Sequence, residues 1–470
     1  MYWYGHALMP GSERPLWGSR VRAPLTAVAI ELSSSTAVDR PLAVHDVAAS
    51  RAHLGELHAL GILTDAGRDT LDAALEHITA EIEDGSFAWS EAHEDVHMNI
   101  EAAVRDAVGP DLAGQLQAGR SRNEEIVTDE RLWLLAAIGR MKSLLITLQR
   151  TLARRATDEI ETALPAHTHT QPAQPMLLAH HLLAHVEMLD RDHQRLTDAA
   201  VRIDRSPAGS GAAVGSGLGI DRERVAKRIG FSRITRNSLD AVADRDYAVE
   251  TVAAAAMALG HLSRLAADLV LWSTPYLGFA RISDGYATGS SMLPNKRNPD
   301  IAELIRARAA RANASLATML GILHGLPLGY HRDLQEMRAP MLDAVTSLEL
   351  CLRAADGMMA EVTFKREAMA SAATGGHALA TALAERLAAA GVPFRDAHWR
   401  VGELVAGAEA SDRDLSLIPD DELRPLLPEL AALPAFMPTL TEALDAADLP
   451  GGTAPGRVRA ALHATKERLA

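Results

Sequence analysis

Four polar segments break the apolar periodicity of this 470-residue chain, and each carries side chains suited to moving protons or holding anions. They are Glu94-Asp95-Val96-His97-Met98-Asn99, Ser121-Arg122-Asn123-Glu124-Glu125, His167-Thr168-His169-Thr170-Gln171-Pro172-Ala173-Gln174-Pro175, and Gly289-Ser290-Ser291-Met292-Leu293-Pro294-Asn295-Lys296-Arg297-Asn298-Pro299-Asp300. The fourth is the most informative. Two hydroxyls follow a glycine, and a lysine and an amide then sit between two prolines, a pattern for a mobile loop leading into a rigid anion-binding turn. Each segment also has a plain structural reading: Ser121 as a helix N-cap, the Thr/His/Gln run as a polar loop ended by Pro175, the Gly-Ser-Ser run as a flexible connection. His93-Glu94-Asp95-Val96-His97 satisfies the His-Glu-x-x-His pattern of zinc-dependent hydrolases, which on a helix sets two imidazoles on one face. A catalytic zinc needs a third protein ligand, and the sequence names none. His181 and His185, also four apart, read as a helix face rather than a metal site.

The elements that must position these groups are helices. Leu54, Leu57, Leu60 and then Leu71, Leu75, Ile78 mark short amphipathic helices, and Leu132 to Ala153 a longer one. Pro175 is expected in the first turn of a helix running through Leu178, Leu182, Val186 and Leu189. The longest run is read from Ser238 to Trp272, apolar around most of its circumference and therefore buried on most sides. Ile301–Leu323 and Met341–Thr363 complete a bundle-like middle. Glycines cluster between these runs, at 209–219, 285–289 and 325–329. No alternating strand and no internal repeat stand out.

Composition narrows the rest. Hydrophobic residues make up 48% and aromatics 4%, so the core is built of Ala, Leu, Val, Ile and Met, which suits closely packed helices. A net charge of −14 argues against a nucleic-acid partner, while leaving room for an anionic small substrate in a locally basic cleft. The single cysteine, Cys351, permits no intrachain disulfide, which fits a reducing cytoplasm. No signal core and no uninterrupted apolar run of membrane-spanning length are apparent.

Taken together, the segments resemble the argininosuccinate lyase branch of the fumarase/aspartase superfamily. Gly289 to Pro299 fits every fixed position of the superfamily loop Gly-Ser-Ser-x-x-Pro-x-Lys-x-Asn-Pro. The resemblance extends to Leu16-Trp17-Gly18, Ser35 with Asp39-Arg40, Pro207 to Gly211, Asn237 to Val242, Asp333-Leu334-Gln335-Glu336 after Tyr330, and Gly451 to Pro455. It also absorbs the His-Glu-x-x-His pattern into a Glu-Asp-x-His-x-Asn-x-Glu segment ending at Glu101.

The resemblance implies an all-α fold of three helical domains, bounded here as 1–120, 121–370 and 371–470. It implies a long central helix bundle forming a tetrameric core, with active sites shared between subunits of a homotetramer. It implies a carbon–nitrogen lyase that cleaves argininosuccinate to arginine and fumarate by anti β-elimination, in the cytoplasm, with no cofactor, no metal, no nucleic acid and no membrane. Ser290 is then the base, Lys296 and Asn298 hold the carboxylate that receives charge, His169 is the acid, and Glu303 orients that histidine. Ser35, Arg122, Asn123, Thr168, Gln171, Ser291, Tyr330, Gln335 and Arg338 are the implied substrate-binding residues. A free serine hydroxyl is far too weak a base for this step, so the role requires loop amides and positive charge around it. The chain departs from the family pattern at Glu124-Glu125, Thr170-Gln171-Pro172, Asn295, Arg297, His331-Arg332 and Met337-Arg338. The alternative is therefore a related lyase that releases fumarate from a different N-substituted aspartate. A non-catalytic relative of the crystallin kind is opposed by retention of Ser290, Lys296, Asn298 and His169.

Overall fold

The computed structural model describes residues 25–470, so the Leu16-Trp17-Gly18 motif lies outside the described residues. The chain groups into two compact units. One comprises the stretch ending at Trp133 with Asp204–Asp244 and Leu326–Arg338; the other comprises Leu134–Ile203, Arg245–Gly325 and Ala339–Ala470.

In the first unit, helices Ala43–Ala59, Asp65–Asp84, Val96–Val108 and Pro110–Leu116 pack on one another. Leu54, Leu57, Leu71, Leu75, Val96, Ile100 and Val104 form its buried core. The three- and four-residue leucine spacing is thus the inward stripe of two antiparallel neighbours, joined by a short turn at Gly61. Thr64 caps the second of them by accepting from Gly67 N at 3.1 Å.

The second unit rests on the long helices Leu178–Ile203, Asp246–Trp272 and Asp300–Leu323, with the middle one packed against both others. Val252, Leu259, Leu262, Leu265, Leu269 and Trp272 line its buried side. Its C-terminal part has its own small core of Leu383, Leu387, Val401, Leu415 and Phe436. Arg122–Asp158, at 37 residues, is the longest helix; its first turns belong to the first unit and the remainder to the second.

Three expectations from the sequence are corrected. The run from Ser238 to Trp272 is two helices, because Ser238–Ala243, capped by Asn237, ends where Asp244 turns to extended backbone. Pro175 opens no helix; it lies in the strand Gln171–Leu177, and the helix starts at Leu178. Strands do occur: Ala163–Thr168 pairs antiparallel with Gln171–Leu177, and two-residue ladders join Ala280–Arg281 to Thr363–Phe364 and Thr288–Gly289 to Arg297–Asn298. In addition, Arg122–Asp158 and Asp246–Trp272 are long and apolar enough to cross a membrane by length and composition alone. Of their most apolar windows, 44% and 50% is buried within this one chain. The same length and apolarity are what inner helices of a bundle require.

Candidate active site

The loop Ser290–Lys296 is closed at its base by the ladder in which Thr288 faces Asn298 and Gly289 faces Arg297. Arg297 pins that base, donating to Ile282 O at 2.6 Å and pairing with Asp284, while Thr288 hydrogen-bonds Asp300 at the start of the next helix. Two pairs of strand residues and two anchored side chains therefore fix the ends of a loop whose middle, from Ser291 to Lys296, is exposed.

Within the loop, Ser290 Oγ accepts the backbone N–H of Leu293 at 3.0 Å and of Met292 at 3.3 Å. Two amide dipoles converging on one oxygen favour its negative form, the requirement that the sequence left open. Lys296 N closes the turn on Leu293 O at 3.1 Å. Asn298 is half-buried beside this turn, its Nδ2 at 3.5 Å from Thr288 Oγ1. Glu303 lies in the first turn of Asp300–Leu323, exposed, with Arg306 at 4.0 Å. Among the described residues, no hydrogen bond or ion pair joins Glu303 to His169.

His169 sits at the tip of the Ala163–Leu177 hairpin. The connection is two residues long, and both of them, His169 (φ 54°) and Thr170 (φ 62°), are in the left-handed region. Such a turn usually takes Asn-Gly. A β-branched threonine there carries strain, which persists where the surroundings impose it. The turn presents Thr168, His169, Thr170 and Gln171 to solvent. A bulge between Ala166 and His167 and a contact with helix Arg366–Thr374 set the hairpin's direction. Thr453, in the C-terminal glycine motif, accepts Leu177 N at 2.9 Å. Gly452 has no room for a side chain, since a Cβ there would lie 2.1 Å from Ala447 O.

In the first unit the remaining candidates are tied together by buried charge. Ser35 Oγ donates to Asp39 at 2.5 Å, and Asp39 pairs with Arg338, itself 4.0 Å from Glu130. Arg338 is 2% exposed, so its guanidinium serves this buried pair and is not offered to solvent. Gln335 Nε2 and Arg332 Nη2 both donate to Ser33 O, at 3.2 and 2.7 Å, and Arg332 also pairs with Glu94. Ser35 N donates to Glu94 O at 2.8 Å. Arg122 Nη1 lies 3.4 Å from Asp95, which caps helix Val96–Val108 by accepting Met98 N. Asn123 Nδ2 donates to Ala212 O at 3.1 Å in the glycine loop. Glu124 Oε2 accepts Gly211 N in the same loop at 2.6 Å. Burial pushes the Glu124 carboxyl up to about 7, against the opposing pull of that amide and of Arg120. Tyr330 is half-buried in the connection before the Arg332–Met337 turn.

The zinc-hydrolase pattern is not formed. Helix Val96–Val108 begins after Asp95, so His93 lies in the preceding turn and shares no helical face with His97. His97 points instead at Asp46 (3.3 Å) and Asp129 (3.8 Å). Burial alone would lower its pKa, but the hydrogen bond and charge of Asp46 together with the charges of Asp95 and Asp129 outweigh burial, and the imidazole is held up at about 10. These acids, with Arg120 and Glu125 paired at 2.7 Å, form a buried charge network that the sequence reading missed.

The chain matches the family described as Lyase over residues 22–313, more than half its length, and the family described as Argininosuccinate lyase C-terminal over residues 377–448. It is 44% identical over 410 residues to an argininosuccinate lyase from Hyphomonas neptunium, a match covering 87% of this chain and 88% of that one. The chain belongs to the argininosuccinate lyase family. Among solved structures, an EDDS lyase variant with bound fumarate superposes with a TM-score of 0.80 at 25% identity, covering 94% of this chain and 88% of that one. A class II fumarase from Schistosoma mansoni shares the fold at a TM-score of 0.72 and 16% identity, over 87% of this chain and 93% of that one. The fold is thus the mostly helical one of the fumarase/aspartase superfamily, and the resemblance read from Gly289 to Pro299 and its companions is a family membership.

Against that family pattern, His181 and His185 are more than a plain helix face. Both imidazoles meet Asp268 of the neighbouring helix, at 2.8 and 3.3 Å. Burial pushes the Asp268 carboxyl up, but the hydrogen bonds and charges of the two imidazoles together outweigh it and hold the group well below the usual carboxylate range.

Proposed function

We propose that the protein cleaves argininosuccinate into arginine and fumarate by anti β-elimination, as a homotetramer in the cytoplasm. The observation that carries this reading is the pair of backbone N–H groups aimed at Ser290 Oγ, because base strength at that oxygen is what the chemistry lacks without help.

In the first step the Ser290 alkoxide takes the proton from the succinyl carbon that is beta to the nitrogen and adjacent to a carboxylate. The electron pair moves into that carboxylate, giving an aci form with two negative charges. Lys296 supplies a cation and Asn298 an amide donor to it, contacts that strengthen as charge develops and so lower the barrier. The C–N bond then breaks, the electron pair leaves on nitrogen, and His169 delivers a proton to it. Serine ends protonated and histidine deprotonated, and one net proton transfer through solvent resets both. Thr168, Gln171 and Ser291 flank these groups. In this reading Arg122 and Asn123 bind substrate, and Tyr330 and Gln335 contact its amine half. Arg338 acts behind Ser35, through Asp39, as a positioning residue.

Glu303 is proposed to orient His169 across a subunit boundary, which accords with the lack of a contact between them within the described residues of one chain. The exposed apolar residues of the long helices, Met257, Leu271, Leu304 and Leu320, accord with burial in such an assembly.

A second reading has one observation in its favour: the EDDS lyase match extends over 94% of the chain, and the departures at Glu124, Thr170 and Arg338 lie outside the elimination loop. Substrate choice and elimination chemistry reside in different groups. Fumarate absorbance followed in parallel with argininosuccinate and with other N-substituted aspartates separates the two. Fumarate from another adduct but none from argininosuccinate would replace the first reading by the second.

A further inference from the structure

We infer that His181, His185 and Asp268 form a binding site for one divalent transition-metal ion of the zinc class, apart from the elimination loop. His181 and His185 stand one turn apart on Leu178–Ile203, and Asp268 comes from the last turns of Asp246–Trp272. Two helices that pack directly on each other therefore supply the three groups. Each group has one ligand atom within 4.8 Å of the other two.

Two of the three ligand spacings are close to those of a filled site, and the third, between the two imidazoles, is within 4.8 Å. Bonds of about 2.0–2.2 Å from zinc to imidazole nitrogen or carboxylate oxygen give a tetrahedral edge of about 3.3 Å. Asp268 Oδ2 lies 3.3 Å from His185 Nε2 and 2.8 Å from His181 Nε2. An ion among them needs the carboxylate to move away from His181 by roughly half an ångström, a side-chain adjustment, with each imidazole carrying its proton on Nδ1.

The surroundings hold the ligands in place. The Trp272 ring centroid lies 4.9 Å from that of His181, and the Phe364 ring meets Trp272 in an edge-on arrangement at 6.2 Å. His185 is buried, while His181 and Asp268 keep part of their side chains open, leaving a route for an ion and a position for a water ligand. Two imidazoles and one carboxylate with an open position suit zinc, cobalt or nickel better than magnesium or calcium, which prefer oxygen ligands. The charge of Asp268 reaches His167, two residues before His169 at the tip of the hairpin, so a bound cation would also be felt near that tip.

The test uses the full-length protein stripped with chelator and then titrated with cobalt(II) chloride alone. One equivalent bound, with the intense visible absorption of four- or five-coordinate cobalt and displacement by zinc, is expected. H181Q and D268N are each expected to weaken binding by at least about 10-fold with unchanged helical circular dichroism. Zinc is expected to raise the Tm of the wild type and leave that of D268N unmoved. Only the pale spectrum of six-coordinate aqueous cobalt, or equal uptake by wild type, H181Q and D268N, would overturn the site. Fumarate release is not a readout of either result, so loss of lyase activity and loss of metal binding remain distinguishable.

Discussion

Replacing Glu124 by glutamine tests whether the first unit holds this carboxyl neutral. Glu124 is 3% exposed and faces Gly211 N, Arg120 and Glu125. Burial moves its pKa from 4.5 to about 7 in the folded chain. The sign follows from proton binding: below 4.5 both folded and unfolded chains carry the proton, and the group costs nothing. As pH rises from 4.5 toward 7, the unfolded chain releases the proton while the folded chain still holds it, so stability falls. Above 7 the loss is complete, at about 3 kcal/mol from 1.36 kcal/mol per pH unit. Glutamine keeps the acceptor for Gly211 and removes the titration. Chemical denaturation followed by circular dichroism, at fixed protein concentration, is expected to show E124Q and wild type alike at pH 4. By pH 8 the variant should be the more stable by about 3 kcal/mol. Parallel stability profiles for the two proteins across that range would refute a neutral buried Glu124.

Three further outcomes are expected. S290A should lose about 10²–10⁴-fold in kcat, the usual worth of a positioned proton acceptor, while calorimetry shows argininosuccinate still binding; turnover near wild type would remove Ser290 as base. D39N leaves Arg338, among the described residues, with the more distant Glu130 as its ion-pair partner, so a loss of about 3 kcal/mol or more is expected in denaturant titrations, the cost of a buried poorly paired charge. A change below 1 kcal/mol would show that Asp39 is not Arg338's essential partner. G211A should cost about 1–2 kcal/mol, because φ is +60° and the new Cβ would sit 3.1 Å from Gly215 O; an unchanged Tm would contradict the tight glycine turn.

The elimination loop was legible because its chemistry dictates residue types at fixed intervals. Gly289, Ser290, Lys296 and Asn298 had to be those residues, and the prolines around them marked the turn. Helix Asp300–Leu323 and the apolar stripe of Asp246–Trp272 were legible for a different reason, since burial imposes a three- and four-residue period. The hairpin was not. Pro172 and Pro175 and an almost wholly polar His167–Gln174 run mask any two-residue alternation, and the turn lacks the glycine or asparagine that announces one. The break at Asp244 was hidden because the short charged run Asp244-Arg245-Asp246 lies between two apolar stretches, Ala241–Ala243 and Tyr247–Val249, and reads as one polar turn of a continuous helix. The buried charges Asp39, Asp46, Asp129 and Glu130 were invisible too, because a charge within a helical stretch ordinarily signals a solvent face. Here each of the four sits among other buried charged or polar groups. His181 and His185 looked like one side of a helix because the partner that unites them, Asp268, is more than 80 residues away.

The most direct test of the central claim is to incubate the purified protein with argininosuccinate and quantify fumarate and arginine in the same sample over time. Equimolar release of both, slowed by S290A by about 10²–10⁴-fold, is the expected result. No fumarate from argininosuccinate, in a preparation that releases it from another N-substituted aspartate or from none, would contradict the claim.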